Sequence, residues 1–195
     1  MYYTTNYSSP VGMLKLASDG KSLVGLWIEG QKYFCDTITD EMTDKMTDEM
    51  ADKMADEMMS GKHLAVLENA KDWLERYFAG SRPSVSELPL APAGGKFRQG
   101  VWQILCEIPY GEVVTYGDIA KKMAEKMSRE TMSAQAVGGA VGHNPVSIII
   151  PCHRVVGASG SLTGYAGGIG KKIWLLTHEG VEVSRFTVPE KGTAL

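Results

Sequence analysis

Cysteine is scarce in this 195-residue chain: three residues, Cys35, Cys106 and Cys152. An odd number of widely spaced cysteines does not build a disulfide framework and fits a reducing, cytoplasmic setting. No CxxC pair and no His/Cys cluster has the spacing of a metal-ligand set, so no metal and no cofactor is expected. No apolar run approaches the roughly 20 residues a bilayer span needs, which excludes a membrane role of that kind. The opening Met-Tyr-Tyr-Thr-Thr-Asn-Tyr lacks a charged n-region and an apolar h-region and does not read as a secretion signal. What remains is ordinary globular composition, long enough for one or two small domains.

The formal net charge of -3 is unevenly spread. Residues 40–59 hold five Asp, three Glu and two Lys, a net of -6, which leaves the rest of the chain at +3. That mildly basic remainder permits nucleic-acid binding without establishing it. The acidic segment is a tandem four-residue repeat, DEMT-DKMT-DEMA-DKMA-DEMM. Its methionines recur at nearly the helical period, and Glu41–Lys45 and Glu49–Lys53 fall at i,i+4. A Met-rich metal or partner site is one reading. A repeat expansion in a surface loop, helical or mobile, is the preferred one.

Residues 1–35 read as short strands. Val24, Leu26 and Ile28 alternate with Gly25, Trp27 and Glu29, and the Ser18-Asp19-Gly20 turn suggests a hairpin. Leu64, Leu67, Ala70, Trp73, Leu74 and Phe78 share one face of a helix over 64–78, ended by Gly80. Residues 81–95 carry Pro83, Pro89, Pro92 and Gly94-Gly95, a linker composition that marks the domain boundary.

The second half is mostly helical. Phe97, Val101, Ile104, Leu105 and Ile108 form one stripe, followed by a Pro109-Tyr110-Gly111 turn. Thr115, with Asp118 three residues on, caps a helix that turns Ile119, Ala120 and Met123 inward. A further short helix runs from Ser133 to Asn144-Pro145, and the pair suggests a helix-turn-helix with a long connection. That last helix contains Gly138-Gly139, and each glycine costs about 1 kcal/mol relative to alanine. A surface stripped of side chains serves close helix packing or close approach to a nucleic-acid backbone. Both readings stay open at this point.

Residues 148–156, Ile-Ile-Ile-Pro-Cys-His-Arg-Val-Val, deliver Cys152 beside His153 and Arg154 at the end of an apolar run that reads as a strand. Sulfur attacks as thiolate, and basic neighbours lower a thiol's pKa, so the pattern is that of an activated nucleophile. Cys35 and Cys106 read instead as small buried hydrophobes.

Residues 97–180 carry a set of motifs in order: Phe97-Arg98-Gln99, Val101-Trp102, Ile108-Pro109-Tyr110-Gly111-Glu112-Val113, Thr115-Tyr116 and Ala136-Val137-Gly138-Gly139-Ala140. Asn144-Pro145, Ile150-Pro151-Cys152-His153-Arg154-Val155, Gly164-Tyr165-Ala166-Gly167-Gly168 and Trp174-Leu175-Leu176-x-x-Glu179-Gly180 complete it. The set resembles the O6-alkylguanine-DNA alkyltransferases over about 85 contiguous residues. The resemblance implies an α/β chain: a ribonuclease-H-like α+β domain over 1–90, bearing the repeat, and a mostly helical domain over 91–195 with a helix-turn-helix DNA-binding motif.

It also implies roles. Cys152 is the alkyl acceptor, His153 its base through a water, and Glu179 the group that orients the imidazole. Tyr116 protonates the departing guanine at N3, and Asn144 braces the turn beneath the cysteine. Gln135, Ala136, Gly139, Tyr116 and Arg154 contact DNA, with Gln135 standing where the family's better-known members carry an intercalating arginine. Val155, Tyr165, Ala166 and Gly167 form the pocket for a base flipped out of the stack. The implied partner is double-stranded DNA carrying O6-alkylguanine, met by a monomer. Three other readings compete: an alkyl-lesion sensor without repair, a cysteine hydrolase and a helix-turn-helix regulator. The first lacks an acceptor cysteine, which Cys152 argues against. The second needs an oxyanion hole and turns over. The third binds a defined operator.

Overall fold

The computed structural model describes residues 2–38 and 62–188, with side chains from residue 65 onward in the second segment. The acidic repeat at 40–59 lies outside the described residues. Three strands, β1 (Tyr3–Ser9), β2 (Gly12–Ser18) and β3 (Leu23–Ile28), form an antiparallel sheet in that order. The β2–β3 hairpin closes on Asp19, whose Oδ1 accepts from Lys21 N at 2.9 Å and Ser22 N at 2.7 Å, the side-chain-to-backbone turn that aspartate favours.

β3 is buried on both faces. Simple alternation would group Val24 with Leu26 and Ile28. A register shift at Ala17/Ser18 moves it instead to the opposite face, where it packs with Trp27, Ala17 and Ile38. Gly25 lies under the folded-back indole of Trp27, and a Cβ there would sit 1.8 Å from the ring. The glycine is required by close packing, the usual reason for one inside a strand.

Helix α1 (Lys62–Phe78) lies across the sheet and buries Val66, Leu67, Ala70, Trp73, Leu74 and Tyr77. It stops at Gly80, at φ +83, with Ser81 N bonded to Arg76 O and Gly80 N to Tyr77 O, the paired bonds of a Schellman end. The proline-rich stretch beyond is anchored to the sheet: Leu23 N donates to Pro89 O at 2.8 Å and Ala91 N to Leu23 O at 3.0 Å.

The second half supplies α2 (Lys96–Cys106), α3 (Tyr116–Lys126), α4 (Ala134–Gly142) and α5 (Ile169–His178), with a short parallel pair β4 (Val114–Thr115) and β5 (Val155–Val156). Thr115 and Asp118 form the expected reciprocal cap of α3, and Ser133 Oγ caps α4 through Ala136 N. Trp102 of α2 donates its indole N–H to Ala140 O of α4 at 2.9 Å. The two halves are joined at β3, where Leu26 N donates to Pro145 O and Ser147 N to Leu26 O, both at 2.8 Å. One main core runs across both halves, from Leu14 and Leu26 to Val137 and Leu175. No helix among the described residues is long and apolar enough to cross a membrane.

Candidate active site

The apolar run before Cys152 is not a strand. Val146 makes a single bridge to Leu26, and the chain then turns repeatedly: Ile149 N bonds Ser147 O, Ile150 N bonds Val146 O and Cys152 N bonds Ile150 O. Ile148 sits at φ +69, a region β-branched residues avoid, at a cost of about 1–3 kcal/mol. Burial of Ile148, Ile149 and Ile150 offsets it. A continuous apolar stretch has no period by which a strand and a buried series of turns could be told apart.

Asn144 organises these turns from within. Its Nδ2 donates to Ile150 O at 2.8 Å, to Cys152 Sγ at 3.1 Å and to Val146 O at 3.3 Å, and its Oδ1 accepts from Val146 N at 3.0 Å. Cys152 opens a 3-10 turn, Cys152–Arg154, and is 4% exposed. Burial pushes its thiol above the usual value, while the Asn144 bond and the charge of Lys172 pull it the other way. The expected depression by basic neighbours is therefore overridden by desolvation, and the resting group is a thiol.

His153 points inward from the same turn, with Nε2 2.7 Å from Glu179 Oε1. A carboxylate can only accept, so Nε2 carries the proton and Nδ1 the lone pair. Nδ1 is buried and has no hydrogen-bond partner among the described residues. Burial lowers His153 below its usual pKa, and Glu179 partly restores it. Glu179, at the C-terminal end of α5, is itself buried. Burial alone would raise its carboxyl, but His153 and Arg154 outweigh it and hold Glu179 well below the usual carboxylate range.

Arg154, expected among the DNA contacts, is turned to the interior. It is buried, it grips Glu179 through Nε at 2.8 Å and Nη2 at 2.9 Å, and Nη1 donates to Ile108 O at 2.6 Å. Every guanidinium nitrogen is thereby engaged, which is how a charge this deep is satisfied.

Tyr116, the first residue of α3, donates to Thr163 O and Gly164 O, each at 3.3 Å. Its phenol is raised by burial and by the nearby Cys152, so it remains a proton donor. It lines a cleft of about 400 Å³ with Gly117, Ala134, Gln135, Gly138, Ala158, Thr163 and Gly164, within the size range of small-ligand sites. Gln135 and Ala136 are exposed and Gly139 is half-buried. A Cβ at Gly139 would meet nothing within 4 Å, and one at Gly138 would only touch the Tyr116 ring at 3.9 Å. Packing among the described residues does not demand either glycine.

Val155 and Tyr165 are buried, and Ala166 and Gly167 are half-buried. Gly167 has a packing reason for its size, since a Cβ would lie 2.7 Å from the Tyr165 ring and 3.2 Å from Ile28.

Two buried polar side chains escaped the sequence pattern. Lys172 of α5 is fully buried, bonds Val155 O at 2.5 Å and Thr163 O at 2.8 Å, and is pushed down by burial to about 8. A lysine inside a helix gives no sign of burial in one sequence, because the residue type is mostly exposed. Tyr77 of α1 donates its hydroxyl to Glu179 Oε1 at 2.8 Å. Its helical spacing four residues after Trp73 was the available signal. Among the described residues no group of three or more His, Cys, Asp or Glu could hold a metal ion.

Fold and site together define a helix-turn-helix protein with a buried cysteine, Cys152, followed in sequence by a buried histidine, His153, that is hydrogen-bonded to Glu179. Comparison with known proteins agrees. Residues 96–181 match the 6-O-methylguanine DNA methyltransferase DNA binding domain, and residues 1–92 match the ribonuclease-like domain of the same proteins. The methylated-DNA–protein-cysteine methyltransferase of Haemophilus influenzae is 37% identical over 98% of this chain and 90% of its own length. That of Methanosarcina acetivorans is 40% identical over 92% and 99%. Among solved structures, Mycobacterium tuberculosis O6-methylguanine methyltransferase superposes with a TM-score of 0.68 at 37% identity, covering 98% of this chain and 97% of that one. The OGT of the same organism in complex with DNA gives 0.64 at 35% identity, covering 95% and 94%. The chain belongs to the methylated-DNA–protein-cysteine methyltransferase family.

Proposed function

We propose that this protein repairs alkylated DNA by transferring the alkyl group of O6-alkylguanine, and of O4-alkylthymine, to Sγ of its own Cys152. It does so once per molecule, as a monomer on double-stranded DNA. The observation that carries this reading is the relay itself: a buried thiol braced by Asn144, followed by a histidine whose Nε2–H is fixed by Glu179 and whose Nδ1 is left as a base.

The step balances simply. His153 Nδ1 takes the thiol proton through a water, the sulfur attacks the alkyl carbon, an S–C bond forms and the C–O6 bond breaks. The electron pair goes to guanine, Tyr116 delivers a proton to N3, and the imidazolium returns a proton to Tyr116 by way of solvent. The thioether has no ready hydrolysis route, so the molecule is consumed. Because the target atom is buried in a duplex, the nucleotide is extruded past the cleft beside Tyr116 into a pocket formed by Val155, Tyr165, Ala166 and Gly167. Gln135 fills the gap without adding a positive charge, so binding is less salt-sensitive than with an arginine there. The Ala-Gly face of α4 approaches the DNA backbone, and residues 1–90 and 91–195 act as supporting and reacting domains. Arg154 serves from below, holding Glu179, and does not touch DNA.

The test is incubation with excess O6-methylguanine duplex followed by mass spectrometry. One added methyl per molecule, on Cys152, is expected. No transfer leaves the sensor reading, and repeated turnover would overturn the stoichiometric one. Cys152→Ala should abolish transfer and keep DNA binding.

A further inference from the structure

The side chains given roles in the proposed reaction all belong to the C-terminal half, yet Glu179 has a partner from the other half of the chain. Its Oε1 takes three donors: His153 Nε2 at 2.7 Å, Tyr77 Oη at 2.8 Å and Arg154 Nη2 at 2.9 Å. Its Oε2 takes Arg154 Nε at 2.8 Å and Gly111 N at 3.2 Å. Tyr77 lies on α1, 102 residues before Glu179 in the chain.

We propose that Tyr77 is a positioning residue of the relay: its hydroxyl shares Oε1 of Glu179 with His153 and so sets how strongly the carboxylate holds the imidazole and how basic Nδ1 is. The proposal deepens the reading of His153 as the base for Cys152 and rests on it.

A buried tyrosine hydroxyl usually finds an acceptor, so the bond alone could be ordinary satisfaction. Its placement argues for more. The ring is fixed on several sides: stacked on Trp73 at 5.4 Å, edge-on to Phe78 at 5.2 Å and to Tyr110 at 6.0 Å, and against His178 at 5.3 Å. His178 Nε2 lies 2.8 Å from Tyr77 O, securing the backbone as well. A hydroxyl held this rigidly chooses the one carboxylate oxygen that His153 also uses. Arg154 and Gly111 would still hold Glu179 without it, so Tyr77 is not needed to keep the carboxylate in place.

The charged and titratable groups facing the His153–Glu179 pair are Arg154 and Cys152 on the same turn, Lys172 on α5, Tyr165 on the strap before α5, Tyr110 on the 109–111 turn, and Tyr77 on α1. Tyr77→Phe alters only the last. With one donor gone, Oε1 is more negative toward Nε2–H, and the imidazolium is better stabilised.

The experiment follows the His153 ring nitrogens by NMR titration of the whole protein without DNA, in wild type and Tyr77→Phe, alongside single-turnover methyl transfer as a function of pH. In the variant, His153 should titrate higher by about half a pH unit. The acid limb of transfer should move up with it, and the alkaline plateau should stay within about twofold. Site-specific 3-fluorotyrosine at 77 keeps ring and hydroxyl while strengthening the donor, and should move both curves the other way. It serves also if Tyr77→Phe fails to fold. A His153 curve that overlays wild type, or stays flat in both proteins, overturns the proposal. A uniform fall in rate with no shift also overturns it and makes Tyr77 a packing residue. If wild type transfers no methyl while His153 still shifts, it is the repair reading that fails and not the coupling.

Discussion

Replacing Asn144 with alanine should separate the two things this side chain does. Structurally, Ile150 O and Val146 O each keep a backbone donor without it, from Cys152 N at 2.8 Å and Ile150 N at 3.0 Å. Val146 N does not, because its acceptor is Asn144 Oδ1, and Val146 is fully buried. One orphaned N–H costs about 1–3 kcal/mol, and the space left by three side-chain atoms adds about 1 kcal/mol. The expected loss is therefore about 2–4 kcal/mol, or roughly 5–15 °C in Tm for a chain of this length. Urea unfolding followed by tryptophan fluorescence reads it. Chemically, the Asn144 N–H bond favours the thiolate against burial, so Cys152 should react with iodoacetamide more slowly at a fixed pH near 8. Asn144→Asp keeps the acceptor for Val146 N and the volume, but turns an oxygen toward two carbonyls and the sulfur. It should lose more thiol reactivity than Asn144→Ala. A stability change under about 0.5 kcal/mol, or a thiol that reacts as fast as wild type, would refute the assignment.

Gly139→Ala adds a methyl into open space and should leave the fold as stable or more so by up to about 1 kcal/mol. A fall in duplex affinity measured by fluorescence anisotropy is the expected sign that DNA comes close there, and unchanged affinity would remove that role. Glu179→Gln leaves His153 and Arg154 without their carboxylate and should cost about 3 kcal/mol at pH 7. Because the folded value of Glu179 is depressed, its contribution is present above the unfolded value near 4.3 and is lost as pH falls through the folded one. The gap between wild type and variant in urea midpoints should therefore narrow below about pH 4, and a gap independent of pH would contradict the ion pair. Gly167→Ala forces a methyl to 2.7 Å from the Tyr165 ring and should lower stability by about 1–3 kcal/mol, with Gly168→Ala, where a Cβ meets nothing within 4 Å but φ is +91, as the backbone-strain control.

Local rules carried much of the fold. Period and turn chemistry pointed to short strands in residues 1–35, with a hairpin at Ser18-Asp19-Gly20, and to α1, and the Thr115–Asp118 cap marked α3 because a cap is a contact between near neighbours in sequence. Failures occurred where the deciding contact was distant or the backbone unusual. Val24 changes face because of a bulge, which no alternation pattern reports. Ile148 adopts a left-handed conformation that its residue type disfavours, so the isoleucine run reads as a strand it does not form. Arg154 follows His153 on a 3-10 turn that carries both inward to Glu179, whereas an arginine beside a candidate DNA site reads as a surface contact. Cys152, His153, Glu179, Tyr116 and Asn144 were named through their motifs, and the structure brings them together. Tyr77 and Lys172 belong to no motif, and only folding places them there.

Burial governs how such a site can behave. A permanently ionised thiolate would react with any electrophile that reached it, and a protein that reacts once cannot recover from such a loss. Here the thiol is 4% exposed and raised by desolvation, and His153 is lowered by the same cause, so sulfur and base both rest neutral. In the proposed reaction, moving one proton between them creates an ion pair inside a site that already holds Glu179, Arg154 and Lys172 in fixed positions. Those groups need no rearrangement when charge appears, the condition under which buried electrostatics act most strongly. The first half of the chain is no passive attachment to this site. β3 supports the Asn144–Cys152 turns through Leu26, and α1 reaches Glu179 through Tyr77. A shift of either would disturb the geometry on which the proposed proton transfer depends.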